Sequence, residues 1–200
     1  MDLFTAVAER RSVKKFDPDH RLTAEEIDRL MEVVILSPTS FNIQNWRFVL
    51  VTDPEVKQRI REKGYHQAQF TDCSLVVVIC GDRNAFGQDT QRYWANAAPE
   101  AKQAIVPMIQ GAYGGNVALQ RDENLRSGGL AAQTLMLAAK AMGYDTCPMI
   151  GFDFEAVAGI IKLPADHDIV MAVTVGKALE PARERGGQLP LKEVTFQNTF

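Results

Sequence analysis

The sequence predicts one domain that combines β-strands with α-helices, and three observations favour that class. Short apolar runs rich in β-branched residues, at 48–51, 75–80 and 169–175, are typical of buried strands. Segments with the helical spacing of apolar residues lie between and around these runs. No internal repeat and no linker divides the 200 residues. We therefore expect a central sheet with helices on its faces, in a single domain over residues 1–200.

The bulk composition excludes several classes of function. The formal charge is −3, and the 22 basic residues are scattered among 25 acidic ones, so nucleic acid is not an expected partner. The three cysteines form no C-x-x-C pair, and His20, His66 and His167 are far apart, so neither a disulfide framework nor a metal site is expected. Residues 128–142 are too polar and too short to cross a bilayer, and residues 1–4 do not resemble a secretory leader. We therefore expect a cytoplasmic protein.

Helix-start signals place the first helices. Asp2 can cap a short helix that runs to the pair Arg10-Arg11. The segment Thr23-Ala-Glu-Glu26 has the arrangement of a capping box, and apolar residues follow it at helical spacing. This second helix should end before Ser37-Pro38, because the residue before a proline is biased away from helical dihedrals. Asp53-Pro54 starts a third helix, with the cap and the first-turn proline in their preferred order.

The second half of the chain is predicted to hold a buried helix and a tail without a core. Residues 82–124 are rich in aromatics, and we expect them to form short helices suited to a lid or a pocket wall. A long helix at roughly 122–142 is apolar on most sides and should end at Gly143. A further short helix should run to about Leu163. Residues 177–200 have no core of their own, so a partner subunit is the obvious surface for them.

Several common catalytic motifs are absent from the sequence. There is no G-x-S-x-G nucleophile elbow. The glycines at 111–115 do not meet the dinucleotide-binding fingerprint, and there is no P-loop. A phosphate group, if one is bound, must therefore be held by side chains.

Two polar segments are candidates for such a site. The run Arg10-Arg11-Ser12-Val13-Lys14 places three cations and one hydroxyl where the first helix ends. Runs of this kind are commonly solvated surface, but guanidinium forks and an ammonium can also converge on a phosphate or on the polar edge of a planar ring. Residues 37–48 form a polar loop that leads directly into the first strand. This loop is either a self-contained turn or a second part of the same site.

Together these segments resemble the FMN-dependent nitroreductase family. The family's R-R/H-S-x-R/K motif matches residues 10–14, and its S-P-S-x-x-N-x-Q-P-W motif matches residues 37–46. The segment His66-Gln-Ala-Gln69 is similar to the family's N-Q-x-Q segment before the central strand. Residues 142–152 resemble its G-L-G-x-x-x-x-x-G-F stretch, and residues 175–194 resemble its ending. The matching segments occur in the family's order over essentially the whole chain.

The resemblance implies a fold, a cofactor and a partner. The fold is an α+β, three-layer α/β/α domain with a central, mostly antiparallel sheet and helices on both faces. A C-terminal extension, residues 177–200, packs on the partner subunit of a homodimer. The cofactor is FMN, with NADH or NADPH as the electron donor, and both sites lie at the subunit interface. No metal is implied, and no side chain need act as a general acid or base, because the chemistry belongs to the flavin.

The resemblance also assigns residues to the cofactor. Arg10, Ser12 and Lys14 meet the ribityl chain, the phosphate and the ring edge, and Arg183 or Arg185 completes the phosphate site. The pyrimidine ring is met by His66 and Gln69, and the ring face by Pro148 and Met149. The backbone amides of Ile150 and Gly151 donate toward N5 and O4. The other subunit contributes a group of loop residues, namely Pro38, Thr39, Ser40 and Asn42. Two further residues complete the expected set, namely Arg11 and Gln44.

Three positions depart from the pattern of the family. Some relatives carry a glutamate at the position of Ile150 and a lysine at the position of Gln69, so contacts to the nicotinamide and to the flavin O2 edge differ here. Asn45 replaces the more usual proline before Trp46, which alters the rigidity of the loop. Donor preference and redox potential therefore do not follow from the resemblance.

The implied activity is that of an oxidoreductase. It takes hydride from NAD(P)H and reduces nitroaromatics, quinones or related small electrophiles by a ping-pong mechanism. Five aromatic residues are candidates for the acceptor pocket, although such side chains also suit a packed core: Phe41, Phe86, Tyr93, Trp94 and Tyr113. The alternatives are another acceptor at the same flavin site, such as an enone, an aldehyde or free flavin, a non-enzymatic flavin-binding sensor, and an α/β domain of another function.

Overall fold

A four-stranded antiparallel sheet lies at the centre of the computed structural model, which describes residues 1–87 and 89–200. Its strands are β1 (Trp46–Val51), β2 (Leu75–Asp82), β3 (Asp145–Met149) and β4 (His167–Gly176). Their order is β1-β2-β4-β3, and every neighbouring pair is antiparallel. The two strands with the longest apolar runs, β2 and β4, are therefore central, and β1 and β3 are the edges.

The helices of the described residues surround this sheet. Their bounds are α1 (Leu3–Glu9), α2 (Ala24–Val34), α3 (Pro54–Lys63), α4 (Gln69–Asp72), α5 (Pro99–Tyr113), α6 (Val117–Ala141), α7 (Phe154–Ile160) and α8 (Leu191–Val194). Two 3₁₀ turns lie at Ser40–Asn42 and Thr90–Trp94. None of the helices in the part of the chain that the structure describes has the length and apolarity needed to span a membrane.

The helix-start signals of the sequence are confirmed. Asp2 accepts a hydrogen bond from Thr5 N at 3.1 Å. Thr23 and Glu26 form both hydrogen bonds of a capping box at the start of α2. Asp53 caps α3, and Pro54 is its first residue. At the end of α6, Gly143 adopts a φ of +84°, which a glycine reaches without steric cost.

The two faces of the sheet are covered by different helices, which gives three layers. Alternate residues of β2 point to opposite faces. On one face, Val76 and Val78 pack in a cluster with Ile60 of α3 and Val157 of α7. On the other face, Val77 and its alternate neighbours pack against α2 and α6, and α1 lies against α6. Both faces of β2 are completely buried.

Two elements differ from the sequence expectation. The long helix α6 begins at Val117, not near 122, because Asn116 accepts a hydrogen bond from Leu119 N and caps it. The segment before it contains the 15-residue helix α5, longer than the short helices expected there. Pro107 lies inside α5 and argues against a long helix, but the apolar stripe from Ile105 to Tyr113 packs in a hydrophobic cluster.

Strand β3 was not predicted. Its five residues include Asp145 and Pro148 and lack a β-branched run, so no strand signal stands out. Proline is tolerated because β3 is an edge strand, where one side of the backbone needs no ladder partner.

Candidate functional site

The cationic segment 10–14 lies along the edge of the sheet. Ser12 forms a parallel bridge with Thr146 of β3, and Val13 N donates to Thr146 O at 3.0 Å. The Val13 side chain is buried in the core, whereas Ser12 and Lys14 are exposed. One buried side chain therefore fixes the segment, and its polar neighbours face outward.

The C-terminal tail brings two further arginines to the same place. Backbone hydrogen bonds pair residues 15–17 with residues 177–179, so the chain beyond 179 runs close to the cationic segment. The Arg11 guanidinium donates to Arg183 O, and the Arg185 guanidinium donates to Ala8 O at 3.0 Å. The structure therefore brings residues 183–185 of the tail close to residues 8–14.

A cavity of about 340 Å³ lies between these segments. Its lining residues are Arg10, Arg11, Ser12, Lys14, Arg183, Arg185, Gly186 and Gly187. Four arginines and one lysine without any carboxylate make the cavity a strong candidate for an anion. Guanidinium groups bind phosphate through paired, charge-assisted hydrogen bonds.

Lys14 links this cavity to β3. Its Nζ lies 3.5 Å from the Sγ of Cys147, whose side chain is buried. Burial raises the pKa of the Cys147 thiol, and the nearby Lys14 and Arg10 charges oppose that rise. The thiol therefore stays neutral and adds no negative charge beside the Lys14 ammonium.

The turn after β3 and the turn after α3 contact each other at the end of β3, the strand with which Ser12 pairs. The Nε2 of Gln67 donates to Gly151 O at 2.7 Å, and Asp153 N donates to Lys63 O at 2.8 Å. Of the residues assigned to the cofactor, His66, Ile150 and Gly151 are exposed here. Gln69 and Met149 are only 8% and 5% exposed, so little of either side chain is available to a ligand within the protomer.

The loop 38–44 has an unusual backbone. Phe41, Asn42 and Gln44 all have positive φ values, of 52°, 54° and 46°. Non-glycine residues in this region carry a conformational cost and need support from their surroundings. Thr39 supplies part of it, because its Oγ1 accepts from Gln44 N at 3.0 Å.

Side chains and carbonyls from the segment 82–124 supply the rest of that support. Ser40 N donates to Glu123 Oε1 at 3.3 Å. The Nδ2 of Asn42 donates to Tyr93 O at 2.7 Å, and the indole of Trp94 donates to Phe41 O at 3.0 Å. The loop is therefore built as one unit with the helices that follow residue 82.

The five aromatic residues assigned to the acceptor pocket gather beside this loop. They share a hydrophobic cluster with Ile43 and Ile109. Tyr93 and Tyr113 are only 7% and 3% exposed, so they act as core residues of the cluster within the protomer. The other three, Phe41, Phe86 and Trp94, are partly buried.

The cationic segment and the loop lie at opposite edges of the sheet. Ser12 pairs with β3, whereas the loop leads into β1. Three strand spacings separate these edges, which is roughly 14 Å. No hydrogen bond joins residues 38–44 to residues 10–14 or 146–151 among the residues described in the structure. One protomer therefore brings together residues 10–14, 146–151 and 183–185, but not the loop.

A model of the nitroreductase family matches residues 7–177. The chain belongs to the nitroreductase family. The protein DrgA of Synechocystis is 55% identical over 196 residues, covering 96% of this chain and 93% of DrgA. MhqN of Bacillus subtilis, provisionally named an NAD(P)H nitroreductase, is 35% identical and covers 94% of both chains. A provisionally assigned nitroreductase from Exiguobacterium sibiricum, solved in complex with FMN, superposes with a TM-score of 0.91, at 29% identity over 99% of this chain and 98% of that one.

The family assignment and these neighbours confirm the predicted fold class. The antiparallel sheet between two helical layers is the architecture that the sequence-based resemblance implies.

Two residues of this nitroreductase near the site were missed from the sequence. Glu123 is 7% exposed and reaches the loop from α6, and Gln67 joins the two turns beside β3. The sequence gives no reason to separate Glu123 from its neighbour Asp122. Gln67 lies inside the matched segment 66–69, but only the structure shows that its amide serves two backbone carbonyls.

A buried hydrogen-bond network lies at the end of the sheet where the loop 38–44 leads into β1. Asn45 Nδ2 donates to Asn124 Oδ1 at 2.8 Å, and Asn124 Nδ2 donates to Asp168 Oδ2 at 2.9 Å. Asp82 N donates to Asn45 O at 2.8 Å. Gly81 lies directly under Asn124, because a Cβ at this position would be 2.3 Å from its Cγ. The network therefore joins β1, β2, β4 and α6 at one point.

Proposed function

We propose that this nitroreductase is an FMN-dependent oxidoreductase that takes hydride from NADH or NADPH and reduces nitroaromatics, quinones or related small electrophiles. The observation that carries the proposal is the cavity of about 340 Å³ lined by four arginines and one lysine, beside the exposed residues His66, Ile150 and Gly151. An anion fits this cavity, and the exposed turns next to β3 leave polar atoms free for a planar ring. The FMN complex of the Exiguobacterium relative and the NAD(P)H in the name of MhqN support the same cofactors.

Different residues of this chain would bind different parts of FMN. Arg10, Arg11 and Lys14, with Arg183 and Arg185, would bind the phosphate and the polar side of the ribityl chain. The amides of Ile150 and Gly151 and the side chain of His66 would face the ring. Bound FMN would supply the redox chemistry, taking an electron pair from the nicotinamide and passing it to the acceptor in alternate half-reactions.

We propose a homodimer with two interfacial sites. Support comes from the placement of the loop 38–44 and the cationic segment 10–14 at opposite edges of one sheet. A second chain can supply to each site the loop that its own chain holds too far away. Residues 177–200 would pack on the surface of the partner subunit. The segment 82–124, which carries the aromatic cluster, would form a lid or a wall of the acceptor pocket.

Exposed apolar surface supports such an interface. Leu3 and Phe4 of α1 are 63% and 85% exposed, and a cavity of about 460 Å³ lies between α1, α2 and α6. The tail adds Leu189, Leu191, Val194, Phe196 and Phe200, all of them exposed. Burial of these side chains would stabilise an assembly by roughly 25 cal/mol per Å² of apolar surface removed from water. The three cysteines are free and buried, which supports a reducing compartment such as the cytoplasm.

The first experiment is a visible spectrum of the purified protein, followed by anaerobic addition of NADH or NADPH. We expect a yellow protein whose absorbance near 450 nm bleaches and returns on addition of a quinone or a nitroarene. Yellow protein that no reduced nicotinamide bleaches would contradict the enzymatic function and favour a flavin-binding sensor. Colourless protein that takes up no FMN would contradict the proposal as a whole.

Lys14→Ala should weaken FMN binding about tenfold, because it removes one charge-assisted contact. Lys15→Ala is the matched control. Lys15 is the next residue, but its Nζ pairs with Glu180 at 2.8 Å and does not line the cavity of about 340 Å³. Fluorescence titration of the cofactor-free variants with FMN measures both dissociation constants. Equal dissociation constants for the two variants would show that the cationic cavity is not the FMN site.

A further inference from the structure

Gln67 joins two turns that both flank the proposed FMN site. Its Nε2 donates to Gly64 O at 3.0 Å and to Gly151 O at 2.7 Å. Both partners are backbone carbonyls, which only accept hydrogen bonds, so the NH₂ end of the amide must face them. One side chain therefore holds the turn after α3 against the turn after β3.

The turn after α3 is strained and depends on such contacts. Tyr65 and His66 have φ values of +53° and +56°, in the left-handed region that non-glycine residues rarely adopt. His66 N donates to Arg61 O at 3.0 Å, and the Arg61 guanidinium donates back to His66 O at 3.3 Å. Gln67 adds the only side-chain hydrogen bond found, among the described residues, between this turn and Gly151.

The orientation of Gly151 depends on the hydrogen bonds of the turn around it. A glycine has more backbone freedom than any other residue, and Gly151 lies outside every helix and strand. Its N–H donates to no atom of residues 1–87 or 89–200. Phe152 N donates to Ile150 O at 3.0 Å and closes a three-residue turn around Gly151. The Gln67 bond to Gly151 O and the bond from Asp153 N to Lys63 O hold this turn against the end of α3.

We propose that Gln67 is a positioning residue for the flavin ring. By holding the carbonyl of Gly151, it fixes the turn that the Phe152 N to Ile150 O hydrogen bond closes around this residue, and the Gly151 N–H in that turn keeps one orientation, available to the edge of bound FMN. By holding Gly64 O at the same time, it fixes the exposed His66 turn relative to that N–H. This inference rests on the proposed FMN function.

The test compares Gln67→Ala with Gln58→Ala. Gln58 is an exposed glutamine on α3 whose Nε2 bonds to Glu62 at 3.2 Å, so it controls for the loss of an amide side chain. In the cofactor-free protein, we expect amide hydrogen exchange at 66–67 and 152–153 to quicken about tenfold in Gln67→Ala and to stay unchanged in Gln58→Ala. Unchanged exchange in Gln67→Ala would overturn the positioning role, whatever the cofactor.

The second measurement uses FMN-loaded protein. Loss of a fixed N–H donor should disfavour the electron-rich reduced ring, so Gln67→Ala should bind reduced FMN, relative to oxidised FMN, about tenfold less tightly than the wild type. That ratio corresponds to a midpoint potential about 30 mV lower for a two-electron couple. Gln67→Glu should follow Gln67→Ala, because a carboxylate cannot donate to a carbonyl. Wild-type potentials in both variants would overturn the inference alone, whereas a wild-type protein that binds no FMN would overturn the proposed function and this role with it.

Discussion

Gly81→Ala is expected to lower the free energy of unfolding by about 3 kcal/mol, because the added methyl group overpacks a buried site. The new Cβ would lie 2.3 Å from Asn124 Cγ and 2.5 Å from Asn124 Cβ, so the whole asparagine has to move. Asn124 cannot move freely, since Asn45 and Asp168 both hydrogen-bond to its side chain. Relief of the clash therefore breaks buried hydrogen bonds, which adds to the steric cost.

Gly159→Ala is the control for the change at Gly81. Gly159 lies in α7, is exposed, and has no atom within 4 Å of the position of an added Cβ. Alanine there should raise the free energy of unfolding by about 0.5–1 kcal/mol through its better helix propensity. Urea unfolding followed by circular dichroism measures both variants. A Gly81→Ala variant with a free energy of unfolding equal to or above that of the wild type would show that the packing of Asn124 on Gly81 is not as tight as described.

Glu123→Ala is expected to lower the free energy of unfolding by about 2 kcal/mol and to speed hydrogen exchange in the loop 38–44. Glu123 is 7% exposed, and its carboxylate accepts from Ser40 N at 3.3 Å and from Ser127 Oγ at 3.0 Å. Removal leaves these donors without their partner inside the protein, which costs more than the loss of an exposed hydrogen bond. The three positive φ angles of the loop then lose one of their supports.

Asp122→Asn is the matched control for Glu123. Both acids pair with Arg126, at 3.8 Å from Asp122 and 3.3 Å from Glu123, but only Glu123 is bonded to the loop. The Asp122 side chain is 52% exposed, so its replacement should change stability by less than about 0.5 kcal/mol. Chemical unfolding and hydrogen exchange at 39–44 give the two readouts. If exchange in the loop is the same in both variants, Glu123 is not its anchor.

The parts of the fold with local signals could be predicted from the sequence. Thr23 and Glu26 mark a helix start by their own chemistry, and the β-branched runs of β2 and β4 mark strands. Strand β3 could not be predicted, because its conformation depends on pairing with β4 and with Ser12 rather than on its own composition. The start of α6 was misplaced because a single Asn116 cap had to be recognised within an irregular, aromatic-rich region.

The candidate site likewise contains residues that the sequence reveals and residues that only the structure reveals. Residues 10–14 are contiguous, so their charge is visible in the sequence, and the tail arginines could be related to them only through the resemblance. Glu123 and Gln67 act through tertiary contacts, with partners 83 and 84 residues away along the chain. No spacing rule links residues at such separations. The roles of Glu123 and Gln67 are therefore visible only in the folded structure, where each residue contacts its distant partner.

The division of residues 10–14 and 38–44 between opposite edges of one sheet has a genetic consequence. In the proposed homodimer with two interfacial sites, each site would combine the cationic segment of one chain with the loop of the other. A heterodimer of one chain with damaged cations and one chain with a damaged loop then places both defects in one site and leaves the second site intact. Two alleles that are each inactive should complement one another when they are expressed in the same cell.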